Sequence, residues 1–157
     1  RWAHLVLGFA LAIAPVGAYL AVAGRWSEPA GALLALAGGV LCWVGGFDIL
    51  YSLQDEEFDR ANGLHSVPAA FGARGAILIS RVLHLLCVAL FAAAGWLFPE
   101  LGLLYALGVA ICAAVLVYEQ SLVRADDLSR IDAAFFTLNG VISVILAVLV
   151  VMERALS

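Results

Sequence analysis

The chain has 157 residues, a net charge of −4, 65% apolar residues and only 13% charged ones. Soluble domains carry about 45–50% apolar and about 25% charged residues, so this composition excludes an ordinary soluble domain and makes lipid the solvent for most of the surface. All eight basic residues are arginine and they form no basic patch, which argues against nucleic-acid binding.

A membrane-spanning helix needs about 20 mostly apolar residues, and five such runs are predicted. They are Leu5–Ala23, Ala30–Leu53, Ala76–Phe98, Leu101–Val123 and Ala133–Met152. The first is too long for a signal-peptide core and lacks a cleavage site. It follows an initial Arg rather than Met, so a piece of a longer chain is expected. Pro15 predicts a kink in the first span, which membrane helices tolerate. In the second, Gly38, Gly39, Gly45 and Gly46 read as small residues that let helix backbones approach. Cys42, Cys87 and Cys112 lie far apart inside apolar runs and read as packed free thiols. Trp2, Trp26, Trp43 and Trp96 mostly fall near span ends, as interface anchors do.

Arg1, Arg60, Arg74, Arg81, Arg124 and Arg130 fall at one side of the spans, Arg25 and Arg154 at the other. Six against two predicts that the first side is cytoplasmic.

The informative segment follows the second span. If that helix continues to Asp59, then at about 100° per residue Asp48, Asp55 and Asp59 share a stripe about 40° wide, with Tyr51 on the same face. An Asp inside an apolar span is costly and is a functional hypothesis by default, and like charges one turn apart repel. A divalent cation relieves both penalties. Mg²⁺ takes one or two carboxylates together with substrate phosphates, so the stripe predicts a Mg²⁺–diphosphate site. Glu56 and Glu57 read as solvated helix-end charges. Asn62-Gly63 predicts a turn. Ser66 then caps a short helix with Pro68 in its first turn. Its free amides, with His65 beside them, could meet an anion.

The run Asp48…Tyr51…Asp55…Asp59-Arg60…Gly63…His65-Ser66 resembles the second aspartate-rich motif of the UbiA superfamily of membrane-embedded aromatic prenyltransferases. Tyr118-Glu119 and the stretch Asp127–Gly140 match as well, so the resemblance covers essentially the whole chain. It implies an all-α integral membrane bundle, with five of roughly nine helices here. Residues 1–157 would be the C-terminal part of one such domain, because the family's first aspartate-rich motif is missing. By that resemblance Asp55 and Asp59 bind the metal, Mg²⁺, with Asp48 and Tyr51 beside them. Arg60, His65 and Ser66 would face the diphosphate, although several relatives carry Lys where this chain has His65. The implied reaction moves a polyprenyl group from polyprenyl diphosphate to an aromatic acceptor such as 4-hydroxybenzoate, in quinone biosynthesis. The site would face the cytoplasm from a bacterial inner membrane. The implied partners are the lipid bilayer and the N-terminal half of the same protein.

Three other readings compete. Asp127–Gly140 also resembles menaquinone-pathway prenyltransferases that accept a dihydroxynaphthoate. A cation transporter could use the acidic stripe, although transport sites usually sit near the midplane. A structural subunit with an acidic docking loop leaves Asp48 unexplained. Elsewhere, Arg81 is expected to snorkel. His84 and Asn139 are expected to bond neighbouring helices, Glu119 to pair with an Arg, and Ser129 to open a capping box with Asp132.

Overall fold

A computed structural model describes residues 3–26 and 30–156, without the side chains of residues 133–135. Arg1, Trp2 and Pro29 therefore lie outside the described residues. The described residues form α1 (Ala3–Ala23), α2 (Ala30–Tyr51), a 3₁₀ turn (Ser52–Asp55), α3 (Glu56–Ala61), α4 (Val67–Leu97), α5 (Leu103–Leu122), a π-helical turn (Ala133–Leu138) and α6 (Asn139–Leu156). Five helices among them are long and apolar enough to cross a membrane. Apolar residues surround each of these helices, and the bundle leaves many of them exposed, including Val22, Trp96 and Leu103. Lipid accommodates such a surface, and helices satisfy their own backbone groups there.

The central helix is α2, which packs on α4 and α1. Its glycines make this possible, as their spacing predicts. A β-carbon on Gly39 would stand 2.4 Å from the Phe91 ring, and one on Gly46 would stand 2.4 Å from the His84 ring. On α1, Gly8 is less forgiving, because a β-carbon there would lie 2.5 Å from the backbone oxygen of Leu41, which cannot rotate aside. Cys42, Cys87 and Cys112 are buried free thiols in this core, with Phe91, Tyr105 and Ile142. The Tyr105 hydroxyl donates to the Phe91 carbonyl at 2.8 Å. The helix α1 continues through Pro15 without interruption.

Three boundaries depart from expectation. The third span begins nine residues earlier, at Val67, and contains a break at Gly72, whose φ of 70° suits glycine. The fifth span opens with the π turn and runs on to Leu156. The second does not continue as one α-helix to Asp59. Its Ser52 hydroxyl donates to the Ile49 carbonyl at 2.8 Å, and the Glu56 amide bonds the carbonyl three residues back, at Leu53. Ser side chains compete with the helical ladder in this way, and buried Leu53 pins the tightened turn to the core.

The arginine sides agree with the fold. Arg74, Arg81 and Arg124 gather at one end of the bundle, whereas Arg154 pairs with Glu100 at 3.4 Å, beyond the far end of α4. Trp26 and Trp96 are exposed, as anchors are. Trp43 is not an anchor, since it sits inside α2 and points at α6.

Candidate functional site at the acidic end of α2

The 3₁₀ turn changes the predicted stripe. Each of its residues advances about 120° instead of about 100°, so the carboxylates fan out. Asp48, with 23% of its side chain exposed, faces α1, where its Oδ2 lies 2.7 Å from Nδ1 of His4. Tyr51 faces the other way and meets the Phe136 ring edge-on, with centroids 6.2 Å apart. Asp55 is exposed and Asp59 half-buried, the latter in the short helix α3. The correction is therefore geometric: Asp48, Asp55 and Asp59 do not form one narrow row. Among the described residues no three His, Cys, Asp or Glu side chains converge as a metal cage.

His4 is a partner that the sequence reading missed. Its Nε2 accepts from the Val67 amide at 3.5 Å, which leaves the ring proton on Nδ1 to be donated to Asp48. One imidazole thus joins α1, the acidic helix and the start of α4. No motif signals it, because a lone His at the start of an apolar run is indistinguishable from a packing residue.

Beyond Asp59 the chain turns as predicted. Gly63 has φ of 67°, and the Leu64 amide bonds the Asp59 carbonyl at 2.8 Å. Ser66 caps α4, its hydroxyl accepting from the Ala69 amide at 3.2 Å, with Pro68 in the first turn. The expectation of free amides for an anion is only partly met, because Ser66 and His4 already occupy two of them. His65 is exposed beside the cap. Arg60 pairs with Glu56 at 2.8 Å, one helical turn away.

The π turn supplies the opposite wall. The Trp43 indole donates to Asn139 Oδ1 at 2.7 Å, and Gln54 Nε2 reaches Asp132 Oδ1 at 3.4 Å. Together with Tyr51–Phe136, these contacts tie one face of α2 to the π turn and the start of α6. Single π turns occur often at functional sites. The expected capping box does not form. Asp127, not Ser129, provides the local cap, accepting from the Ser129 amide at 3.0 Å. A hydrogen bond from the Ser129 hydroxyl, this amide bond and the nearby arginines hold the Asp127 carboxyl below its ordinary value of 3.8.

His84 bonds Gln120 at 3.0 Å between α4 and α5, as expected. Glu119 departs from expectation: it is 1% exposed, and neither carboxylate oxygen has a hydrogen-bond partner among the described residues.

Asp55 and Asp59 fit a divalent cation in one respect. They are hard oxygen donors at an open helix end, and no described side chain engages either carboxylate. Two such groups suit a hard divalent cation that completes its shell with other oxygen ligands.

The chain is 31% identical over 138 residues to a 4-hydroxybenzoate octaprenyltransferase of Tolumonas auensis, covering 88% of this chain and 46% of the relative. It is 35% identical over 132 residues to one from Pseudomonas aeruginosa, covering 84% and 43%. It thus spans less than half the length of these curated relatives. The apo structure of a UbiA homolog from Aeropyrum pernix K1 superposes with a TM-score of 0.82 at 31% identity, over 96% of this chain and 55% of that one. The model of the UbiA prenyltransferase family matches residues 1–141, and the chain belongs to that family.

Proposed function

We propose that residues 1–157 are the C-terminal part of one membrane-embedded domain that transfers a polyprenyl group from polyprenyl diphosphate to an aromatic acceptor of the 4-hydroxybenzoate type, in quinone biosynthesis. The observation that carries this reading is the pair Asp55 and Asp59, open at the end of a membrane helix in a chain of the UbiA family. The printed names of the relatives favour 4-hydroxybenzoate over a naphthoate acceptor. The transporter reading loses ground because these two carboxylates sit at a helix end, not near a midplane.

Asp55 and Asp59 would hold Mg²⁺, which when bound stabilises negative charge on the diphosphate leaving group. Asp48, upstream on α2, is a positioning residue held by His4 of α1. Arg60 and His65, with the Ser66 cap, lie on the stretch that follows Asp59 and would face the diphosphate. In the reaction the allylic C–O bond breaks and its electron pair leaves with the diphosphate oxygen. A ring carbon of the acceptor bonds the allylic carbon, and the ring then gives up a proton. Tyr51 and Phe136 wall this region and keep water from the allylic centre. The arginine bias supports a cytoplasmic site in a bacterial inner membrane. The N-terminal half of the parent protein would supply the remaining ligands.

The test is transfer of a labelled polyprenyl diphosphate to 4-hydroxybenzoate by the full-length parent in lipid, with and without Mg²⁺. Transfer should need the metal and fall to background in Asp55→Ala/Asp59→Ala. Undiminished transfer by that variant removes the site assignment. Transfer to a dihydroxynaphthoate alone reassigns the acceptor, and none to either removes the function.

A further inference from the structure

A second feature lies between α4 and α5, beside the face of α4 that packs on α2. A groove of about 490 Å³ runs between α4 and α5, walled by Leu85, Val88, Leu116 and Val117. Leu85 and Val117 are each 71% exposed, so it opens to the bilayer along its length. At its polar end stands Arg81, with Gln120 already bonded to Ser80 at 2.8 Å and to His84. Arg81 also lines an adjoining cavity of about 290 Å³, together with Arg74 and Arg124. A third, of about 610 Å³, continues past Arg74 and Arg124 to Phe71.

Three of the chain's eight arginines therefore gather at one mouth, in a protein of net charge −4. Among the described residues Asp126 pairs with Arg124 at 3.5 Å, and the Asp127 carboxylate also feels the Arg124 charge. Arg74 and Arg81 are seven residues apart on α4, which places them on one face about two turns apart. Arg74 and Arg81, which form no ion pair among the described residues, stand directly above an apolar channel.

We propose that this seam binds an anionic glycerophospholipid, with its phosphate among Arg74, Arg81 and Arg124 and an acyl chain along Leu85, Val88 and Val117. Basic pockets between membrane helices are suited to such headgroups. Charge complementarity selects an anion, and the continuous opening to the bilayer selects a lipid over a free phosphate. The acidic end of α2 instead faces α6 and the π turn, so this site is separate from the one proposed for the prenyl donor.

Native mass spectrometry of the full-length parent in detergent tests this. It would be titrated with dioleoylphosphatidylglycerol, with the phosphatidylcholine of identical chains, and with farnesyl diphosphate as competitor. The wild type should retain phosphatidylglycerol preferentially. Each of Arg74→Gln, Arg81→Gln and Arg124→Gln should weaken that binding about fivefold, Arg81→Lys should largely restore it, and Arg154→Gln at the far end should leave it unchanged. Leu85→Trp should weaken both phospholipids. Equal retention of the two lipids by the wild type, an unaltered preference in the arginine variants, or displacement by farnesyl diphosphate overturns the proposal. None of these readings depends on prenyl transfer.

Discussion

Nδ1 of His4 lies 2.7 Å from Oδ2 of Asp48, across 44 residues of chain, and the same ring accepts from the Val67 amide. Removing the ring leaves a buried amide and a half-buried carboxylate without their partner, which costs about 1–3 kcal/mol. His4→Ala in the full-length parent is expected to lower the unfolding temperature measurably. Asp48→Asn, which can still accept from Nδ1–H, should lower it less. Equal melting of His4→Ala and wild type would remove this link from the account of stability.

The close helix contacts predict a ranking. Gly8→Ala meets the backbone of Leu41, which cannot rotate away, whereas Gly38→Ala meets the end of the Leu90 side chain at 3.3 Å. Overpacking costs about 1–3 kcal/mol where nothing can give. Gly8→Ala and Gly46→Ala should therefore destabilise clearly and Gly38→Ala little, as checked by thermal unfolding in one detergent.

Glu119 gives a prediction of opposite sign. An ionised carboxylate without partners is expensive to bury, and Gln has the same shape without the charge. In the 157-residue chain, Glu119→Gln is expected to melt at the same temperature as wild type or higher. A clear loss of stability would mean that the carboxylate has a partner in the folded protein.

The turn at Asp127 predicts a pH response. The bonds from the Ser129 hydroxyl and amide favour the charged carboxylate, so the folded value lies below the ordinary one. A depressed carboxyl contributes order that is fully present above the unfolded value, about 3.9. That order is lost as the pH falls through the lower folded value. The Ser129 amide signal should therefore hold its position down to about pH 4 and move only below it. Asp127→Asn should remove this titration.

Much of the architecture is legible in the sequence because lipid imposes one requirement, long apolar helices, and composition reports it directly. Five spans, the packing glycines of α2, the buried thiols, the Asn62-Gly63 turn and the Ser66 cap all rest on local chemistry. The relations that escape such reading are those set by distant parts of the chain. His4 meets Asp48, Trp43 meets Asn139 and Gln54 meets Asp132 because helices pack, and no spacing encodes those pairs. The 3₁₀ turn had a local cause in Ser52, but a hydroxyl is as able to face solvent as to bond a carbonyl. Periodicity alone therefore continues the helix.

That turn has a consequence for which changes the protein can accept. The azimuth of Asp55 and Asp59 about the helix axis is fixed by how many residues separate them from the glycine-packed part of α2, more than by which residues these are. One residue inserted or deleted within Ser52–Asp55 would swing both carboxylates by about 100–120° and aim them away from their present direction. Substitutions at exposed Gln54 leave that bearing intact. Within this stretch only Gln54 should therefore drift in identity, while the stretch as a whole holds its length, as a hinge pin can be recast in another metal but not cut shorter.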